Sequence, residues 1–262
     1  MELEKIKALV LDMDGVLWRG GMPLGDLKAI FSKLIQAGVL YAFATNNATR
    51  HVDEYVEKIS GYGIPVKPEQ IFTSAKATAE YLKEKHPKGG NVYVVGENGL
   101  QRTLEEYGFP SEEKDAIAVV AGLDTHINYT KLSQATMLIR NGAPFIGTNP
   151  DLTFPIPEGQ APGAGAIIAS IEASTSVKAE IIGKPRPVMF HQAMRYLSTT
   201  PDETLVVGDR LETDIAGGQA AGCRTAVVLT GVSTREMAES WQPKPDIICE
   251  SLTQLVELLN AR

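Results

Sequence analysis

Residues 6–16 read IKALVLDMDGV, an apolar run that ends in two aspartates and a glycine. The apolar part, residues 6–11, is nearly continuous, which is the pattern of a short β-strand covered on both faces. Parallel sheets with helices on both faces bury their strands in this way. The stretch therefore predicts an α/β protein with Asp12 and Asp14 just beyond the carboxyl end of its first strand.

The bulk composition excludes several classes of protein. Hydrophobic residues make up 44% of the 262 residues and charged ones 22%, as in ordinary globular proteins. The net charge of −7 is spread along the chain, which disfavours nucleic acid or an anionic membrane as the main partner. With two distant cysteines, no signal peptide and no long apolar stretch, we expect a cytoplasmic protein.

Strand and helix patterns alternate along the chain. The predicted strands are 6–11, 40–44, 92–95, 117–120, 143–146, 179–182 (a return strand), 205–207, 225–229 and 246–248. The predicted helices are 24–36, 51–60, 75–86, 99–107, 130–141, 166–173, 187–197, 213–221 and 252–259. Residues 149–165 are rich in proline and glycine and are predicted to be mostly loop. This alternation indicates a doubly wound parallel sheet.

Polar residues follow four of the predicted strands. Those that could carry chemistry are Asp12, Asp14, Thr45, Asn46, Asn47, Lys184, Asp209 and Asp214. In open parallel sheets, ligands bind beyond the carboxyl ends of the strands. Any one of these segments could be a turn or a helix cap. Their joint occurrence at one sheet edge indicates a functional site.

The residue types fit phosphoryl transfer. Asp12, Asp14 and Asp209, if brought close together, would repel one another unless a cation lay between them. Oxygen-only ligands suit Mg²⁺. Lys184 adds a positive charge, and Thr45 and Asn46 add hydrogen-bond donors. Such a set supplies the positioning and charge stabilisation on which phosphoryl transfer depends.

These segments resemble the four signature motifs of the haloacid dehalogenase superfamily of phosphatases. Residues 45–47 (TNN), 148–151 (TNPD), 162–165 (PGAG) and 208–214 (GDRLETD) extend the likeness to the NagD, 4-nitrophenylphosphatase and phosphoglycolate phosphatase-like branch. The resemblance covers essentially the whole chain. It implies a Rossmann-like core with an inserted, smaller α/β cap of the C2 type.

The resemblance also implies a role for each site residue. Asp12 is the expected nucleophile, and Asp14 the general acid that protonates the leaving oxygen and then activates water. The implied Mg²⁺ ligands are Asp12, the backbone carbonyl of Asp14 and Asp209, with Asp214 supporting the metal site. The implied phosphoryl-binding residues are Thr45, Asn46 and Lys184, with Asn47 as a further candidate. The expected substrate is a small phosphorylated metabolite.

The length of chain between motifs locates the expected cap. The segment from Asp14 to Thr45 holds only a hairpin-sized piece and one helix, whereas that from Thr45 to Lys184 is longer than a crossover needs. We therefore expect a core at 1–88 and 179–262 and a cap at 89–178. The cap is expected to close over the site, to choose the leaving group and to pair two copies of the chain.

Several questions stay open at this stage. Residues 148–165 are the expected specificity loop, where Phe154 replaces a histidine found in relatives that dephosphorylate pyridoxal phosphate. Trp18 and Arg19 follow the Asp12–Asp14 segment and either contact substrate or serve packing and solvation. The alternative functions are a phosphomutase, a phosphoacceptor signalling or binding module without turnover, and a catalytically silent scaffold.

Overall fold

A computed structural model describes residues 3–156 and 159–260, except for the side chains of residues 155 and 156. The chain forms two compact units. The first comprises Met1–Thr45, Tyr55–Phe72 and Lys184–Arg262, and the second comprises Asn46–Glu54 and Thr73–Gly183. Each unit contains its own parallel sheet.

Strands and helices alternate through most of the described ranges. The strands are β1 Ala8–Leu11, β2 Trp18–Arg19, β3 Met22–Pro23, β4 Leu40–Thr45, β5 Ile71–Thr73, β6 Tyr93–Val95, β7 Val119–Ala121, β8 Phe145–Gly147, β9 Thr153–Ile156, β10 Gly159–Pro162, β11 Glu180–Ile181, β12 Thr204–Gly208, β13 Arg224–Val228 and β14 Ile247–Cys249. The helices are α1 Leu27–Gln36, α2 Val52–Gly61, α3 Ser74–Lys85, α4 Asn98–Glu106, α5 Tyr129–Arg140, α6 Ala164–Thr175, α7 Val188–Leu197, α8 Ala216–Ala220, α9 Arg235–Ser240 and α10 Leu252–Asn260. Within those ranges, no helix combines the length and the hydrophobicity that crossing a bilayer requires.

The larger sheet has its first strand in the middle. Its order is β14-β13-β12-β1-β4-β5, and β1 pairs in parallel with both β12 and β4. Val10 lies between Val206 on one side and Ala42 on the other. The strand order reverses at β1, and such a reversal opens a crevice at the carboxyl ends of the neighbouring strands. The first unit therefore has its natural binding position where β1 and β12 end.

Helix α1 shows how the sequence covers this sheet. Asp26 caps its first turn, with the side chain accepting a hydrogen bond from the backbone N–H of Ala29 (3.0 Å). Its inward face is apolar at helical spacing and buries Ile30, Phe31 and Leu34. The Phe31 ring lies 4.9 Å from the Tyr41 ring on β4, in an edge-to-face contact.

The second unit is built around a smaller parallel sheet of order β11-β8-β7-β6. Helices α5 and α6 contribute buried apolar residues that form one cluster with the strands. The buried members of this cluster are Val95, Val119, Ala121, Ala135, Ile139, Phe145, Ile167, Ile168 and Ile171. Strands β9 and β10 form a separate antiparallel hairpin in the same unit.

The predicted α/β class with parallel sheets is confirmed, but one local prediction was wrong and several short elements were not predicted. Residues 149–165 are not mostly loop, because β9 and β10 pair within them; residues 157 and 158 lie outside the described residues. The strand predicted at 179–182 is present as β11, which pairs with β8 in the smaller sheet. Strand β5 and helix α9 were not predicted, since three and six residues give too short a pattern to recognise.

The segment predicted to be the cap, residues 89–178, falls entirely within the second compact unit. That unit also includes residues 46–54, 73–88 and 179–183, which were predicted to belong to the core. Where the core ends and the cap begins stays a prediction.

Candidate active site

Asp12 stands at the end of the central strand. Its backbone N–H donates to the carbonyl of Val207 at 2.8 Å and so continues the ladder between β1 and β12 by one residue. This bond fixes the backbone of Asp12 at the sheet edge, where only 9% of the residue is exposed. A carboxylate is therefore held in a mostly buried position, which requires a partner of opposite charge.

Lys184 is that partner. Its Nζ donates to Asp12 Oδ1 at 2.6 Å, to Asp214 Oδ1 at 2.5 Å and to the carbonyl oxygen of Ala44 at 2.9 Å. An ammonium group has three protons, and these three acceptors can take all of them. The residue is only 2% exposed. Lys184 thus joins the ends of β1 and β4 to the segment that follows β12.

Asp209 and Asp214 are each oriented by a backbone amide. Asp209 Oδ2 accepts a hydrogen bond from the N–H of Val232 (2.8 Å), and Asp214 Oδ2 accepts one from the N–H of Arg210 (3.0 Å). Asp214 lies in a π-helical turn, Leu211–Ile215, which precedes α8. Such turns are rare in proteins, and those that occur are often found at functional sites. Both carboxylates are 2% exposed.

The three aspartates form a candidate metal centre. One carboxylate oxygen each from Asp12, Asp209 and Asp214 lie within 4.8 Å of one another. Mg²⁺ binds oxygen ligands and is usually held by one or two carboxylates together with water and substrate oxygens. The donor set therefore fits Mg²⁺. The Asp14 carboxyl has a different partner, since its Oδ1 accepts a hydrogen bond from Trp18 Nε1 at 2.8 Å.

Charge is unbalanced in this cluster. Burial raises the pKa of Asp12, and although Lys184 opposes this, the charges of Asp214 and Asp209 raise it further. Burial, with a contribution from Asp214, raises the pKa of Asp209 from 3.8 to about 7. Burial alone would lower the pKa of Lys184, but its two carboxylate partners raise it well above the ordinary range. Lys184 is thus firmly charged, and the carboxylates need a second cation to be fully ionised.

The remaining predicted residues fall into two groups. Thr45 is the last residue of β4 and is 2% exposed. Asn46 and Asn47 belong to the second unit. The side-chain oxygen of Asn47 accepts hydrogen bonds from the backbone N–H of Thr49 (3.0 Å) and its hydroxyl (2.7 Å), which closes a local turn.

Asn46 is braced by residues to which the sequence analysis gave no role. Its carbonyl oxygen accepts hydrogen bonds from Ser74 Oγ (2.6 Å) and Asn149 Nδ2 (2.7 Å). Its Nδ2 donates to Asp151 Oδ2 at 3.2 Å. Asn149 and Asp151 are part of the branch-specific segment 148–151, so the signal was present, but its purpose was not apparent from sequence. The segment fixes the backbone and side chain of Asn46.

Two glycines make room for the acidic cluster. A Cβ on Gly208 would lie 2.1 Å from Asp214 Cβ, and a Cβ on Gly15 would lie 2.5 Å from Asp209 Cγ. Gly15 also has a φ of +88°, which side-chain-bearing residues rarely adopt. Neither position can carry a larger residue unless a carboxylate moves. Both glycines stand within the motifs, but their steric role is not apparent from the sequence alone.

Comparison with known proteins assigns the chain to a family. A family of haloacid dehalogenase-like hydrolases matches residues 9–110, and a second family model of this type matches residues 181–255. A 5′-nucleotidase from Bacillus subtilis is 37% identical over 97% of this chain and 99% of its own length. The chain belongs to the haloacid dehalogenase-like hydrolases. This confirms the resemblance inferred from the motifs.

The likeness to other members of the family is equally complete. An acid sugar phosphatase from Staphylococcus aureus (strain USA300) is 36% identical over 97% of this chain and 98% of its own. The crystal structure of a 4-nitrophenylphosphatase from Thermotoga maritima superposes with a TM-score of 0.91, with 33% identity over 97% of this chain and 98% of that one. This haloacid dehalogenase-like hydrolase is therefore a phosphoric monoester hydrolase of the NagD and 4-nitrophenylphosphatase branch.

The raised pKa of Asp209 predicts how stability depends on pH in this hydrolase. Without a bound cation, the folded state holds the Asp209 proton more tightly than the unfolded state does. The free energy of unfolding should therefore fall by a few kcal/mol as pH rises from about 4 to about 7. Mg²⁺ should restore the free energy of unfolding, most strongly above about pH 7, because the bound cation stabilises the ionised carboxylates.

Denaturant unfolding with EDTA or with Mg²⁺, at about pH 5 and about pH 8, measures both effects. Asp209→Asn should make the pH dependence of the metal-free protein less steep, since one of the two carboxyl groups with a raised pKa is gone. Equal stabilisation by Mg²⁺ at the two pH values would contradict the assignment of the cluster as a metal centre.

The close approach at Gly208 predicts a second effect. Gly208→Ala should displace the Asp214 carboxylate and lower kcat/KM by about tenfold to a hundredfold, because misplacement by about 1 Å is costly in an active site. The control is Gly61→Ala, at the end of α2, where an added Cβ meets no atom within 4 Å. Steady-state kinetics of the two variants provide the comparison, and equal activity would show that the cluster tolerates the shift.

Proposed function

We propose that the protein hydrolyses phosphate monoesters of small molecules by phosphoryl transfer to Asp12, with Mg²⁺ as its cofactor. The observation that carries the proposal is the buried Asp12 carboxylate, ion-paired to Lys184 beside two further carboxylates at the end of β1. The relatives named 5′-nucleotidase and acid sugar phosphatase support a small phosphorylated metabolite as substrate.

The proposed reaction has two steps with opposite proton transfers. In the first, a carboxylate oxygen of Asp12 attacks phosphorus, and the bond to the alcohol oxygen breaks while Asp14 gives that oxygen its proton. In the second, ionised Asp14 takes a proton from water. The resulting hydroxide attacks phosphorus, releases inorganic phosphate and regenerates the Asp12 carboxylate.

Charge stabilisation is the main contribution of the other residues. Lys184 favours the ionised form of Asp12 and presents positive charge to the phosphoryl oxygens. Thr45 and Asn46, with Asn47 as a further candidate, are proposed to donate hydrogen bonds to the same oxygens. When bound, Mg²⁺ would be held by Asp12, the Asp14 backbone carbonyl and Asp209, supported by Asp214, and would neutralise phosphate charge.

The insert at residues 89–178 is proposed to act as the cap. Closure of such a domain excludes water and brings specificity residues to the leaving group. Residues 148–165 are the proposed specificity segment, with Phe154 on strand β9. Relatives that dephosphorylate pyridoxal phosphate carry a histidine at the position of Phe154. We therefore expect weak activity toward pyridoxal phosphate. Association of two chains through the cap and a cytoplasmic location also remain proposals.

The nucleophile is tested by Asp12→Asn. The purified protein should release phosphate from 4-nitrophenyl phosphate only with Mg²⁺, and the variant should lose activity by about 10³-fold or more, because an amide is a poor nucleophile. The fold should survive, since Lys184 keeps Asp214 and the Ala44 carbonyl as acceptors. Asp202→Asn, at an exposed residue of the same unit, is the matched control. An active Asp12→Asn variant would refute the proposed intermediate.

The fate of the phosphoryl group separates hydrolysis from the alternative functions. A panel of nucleoside monophosphates, sugar phosphates and phosphoglycolate should yield one free phosphate for each alcohol released, over many turnovers. An isomerised sugar phosphate would indicate a phosphomutase instead. A single equivalent of phosphate retained on the protein, without turnover, would indicate a phosphoacceptor module.

A further inference from the structure

Trp18 is almost completely buried in the first unit, and its one polar atom faces the proposed general acid. The residue is 1% exposed, and its indole Nε1 donates to Asp14 Oδ1 at 2.8 Å. A buried indole N–H needs an acceptor, because an unsatisfied buried donor is costly. The sequence left open whether Trp18 contacts substrate or serves packing, and the structure gives it a third role, as a hydrogen-bond donor to Asp14.

The segment between Asp12 and Trp18 closes on itself. The N–H of Gly15 donates to the carbonyl of Trp18 at 2.7 Å, and the N–H of Leu17 donates to the carbonyl of Met13 at 2.8 Å. Asp14 and Trp18 also form an isolated β-bridge. These bonds hold the backbone of both residues, so the indole and the carboxyl meet at a fixed distance.

Two side chains from the α2 region hold the indole ring in place. Lys58 Nζ lies 3.7 Å from the centre of the Trp18 ring, in a cation–π contact. The Tyr62 ring lies 5.9 Å from the Trp18 ring, and its hydroxyl donates to the carbonyl of Gly21 at 2.7 Å. The ring is thus fixed independently of Asp14. A fixed donor can orient a mobile carboxyl group.

We propose that Trp18 is the positioning residue for Asp14, and that it determines which carboxyl oxygen carries the transferred proton. This inference rests on the proposed role of Asp14 as general acid. In a protonated carboxyl group the carbonyl oxygen is a better acceptor than the hydroxyl oxygen, so the indole hydrogen bond to Oδ1 favours placing the Asp14 proton on the other oxygen, Oδ2. Oδ2 is then the atom that donates to the leaving alcohol, and the indole limits rotation of the carboxyl group.

The chemistry of the leaving group distinguishes this role from simple packing. An alkoxide is a poor leaving group and depends on protonation, whereas a dinitrophenolate leaves readily without it. Loss of a correctly oriented acid therefore slows alkyl phosphates much more than activated aryl phosphates. The quantity to measure is kcat/KM, which reports the steps up to phosphoryl transfer to Asp12. General damage to the fold would lower kcat/KM for both substrate types.

The test is Trp18→Phe, which keeps an aromatic ring for Lys58 but removes the N–H. Substrates are a sugar phosphate, 4-nitrophenyl phosphate and 2,4-dinitrophenyl phosphate. We expect kcat/KM for the sugar phosphate to fall by about 10- to 100-fold. This decrease is smaller than the one that loss of the general acid itself would cause, because Asp14 is still present. For the dinitrophenyl ester we expect a change of less than about threefold. Tyr62→Phe, which retains the indole N–H, should affect all three substrates equally.

Asp14→Asn separates this inference from the function on which it rests. It should show the same dependence on leaving group, and adding Trp18→Phe should cause little further loss, because the two residues act as a unit. If Asp14→Asn is selective but Trp18→Phe is uniform or silent, the positioning role is refuted and the general acid stands. If Asp14→Asn is itself unselective, both are refuted.

A spectroscopic measurement covers the case in which Trp18→Phe does not fold. The chain contains two tryptophans, Trp18 and Trp241, so two indole N–H signals are expected in an NMR spectrum. Asp14→Asn should shift the Trp18 signal, because its acceptor changes from a carboxyl to an amide, and should leave that of Trp241 in place. An unmoved Trp18 signal would refute the hydrogen bond.

Discussion

Lys184 places one positive charge among three buried carboxylates, and the site therefore carries an excess of negative charge. Its ammonium contacts Asp12, Asp214 and the Ala44 carbonyl, and no contact is longer than 2.9 Å. A buried charge is tolerated only when it is paired and hydrogen-bonded. One lysine cannot neutralise three carboxylates. Burial, together with this excess of negative charge, raises the pKa values of Asp12 and Asp209. We propose that a divalent cation supplies the two further positive charges that balance the three carboxylates.

The fold brings these groups together from distant parts of the chain. Lys184 lies 172 residues beyond Asp12 in sequence and 30 residues before Asp214. These residues can meet although they are far apart in sequence, because β1 lies between β4 and β12 and the three parallel strands end on the same side of the sheet. Glycine at position 208 then lets the backbone pass close to Asp214. Groups with strongly shifted pKa values, such as Asp12 and Asp209 at this edge, are often found at functional sites.

Much of this arrangement could be predicted from sequence, and what could not be predicted has physical causes. The apolar run before Asp12 and the alternation of patterns were sufficient for the α/β class, because buried parallel strands have a distinctive composition. The hairpin β9–β10 was missed because its proline and glycine residues resemble a loop. The bond from Trp18 to Asp14 depends on side-chain orientation. The brace from Asn149 to Asn46 depends on contact across 103 residues, which one sequence does not reveal.

We propose that the carboxylates around Lys184 hold a divalent cation so that Asp12 can accept phosphorus. Beryllofluoride mimics a phosphoryl group on aspartate, so a crystal structure of the protein with Mg²⁺ and beryllofluoride would test this proposal. We expect beryllium bonded to an Asp12 carboxylate oxygen, Mg²⁺ bound by Asp12 and Asp209, and Lys184 in contact with the fluoride or Asp12. Beryllofluoride bound elsewhere, or Mg²⁺ absent from these carboxylates while Asp12 carries beryllium, would contradict it.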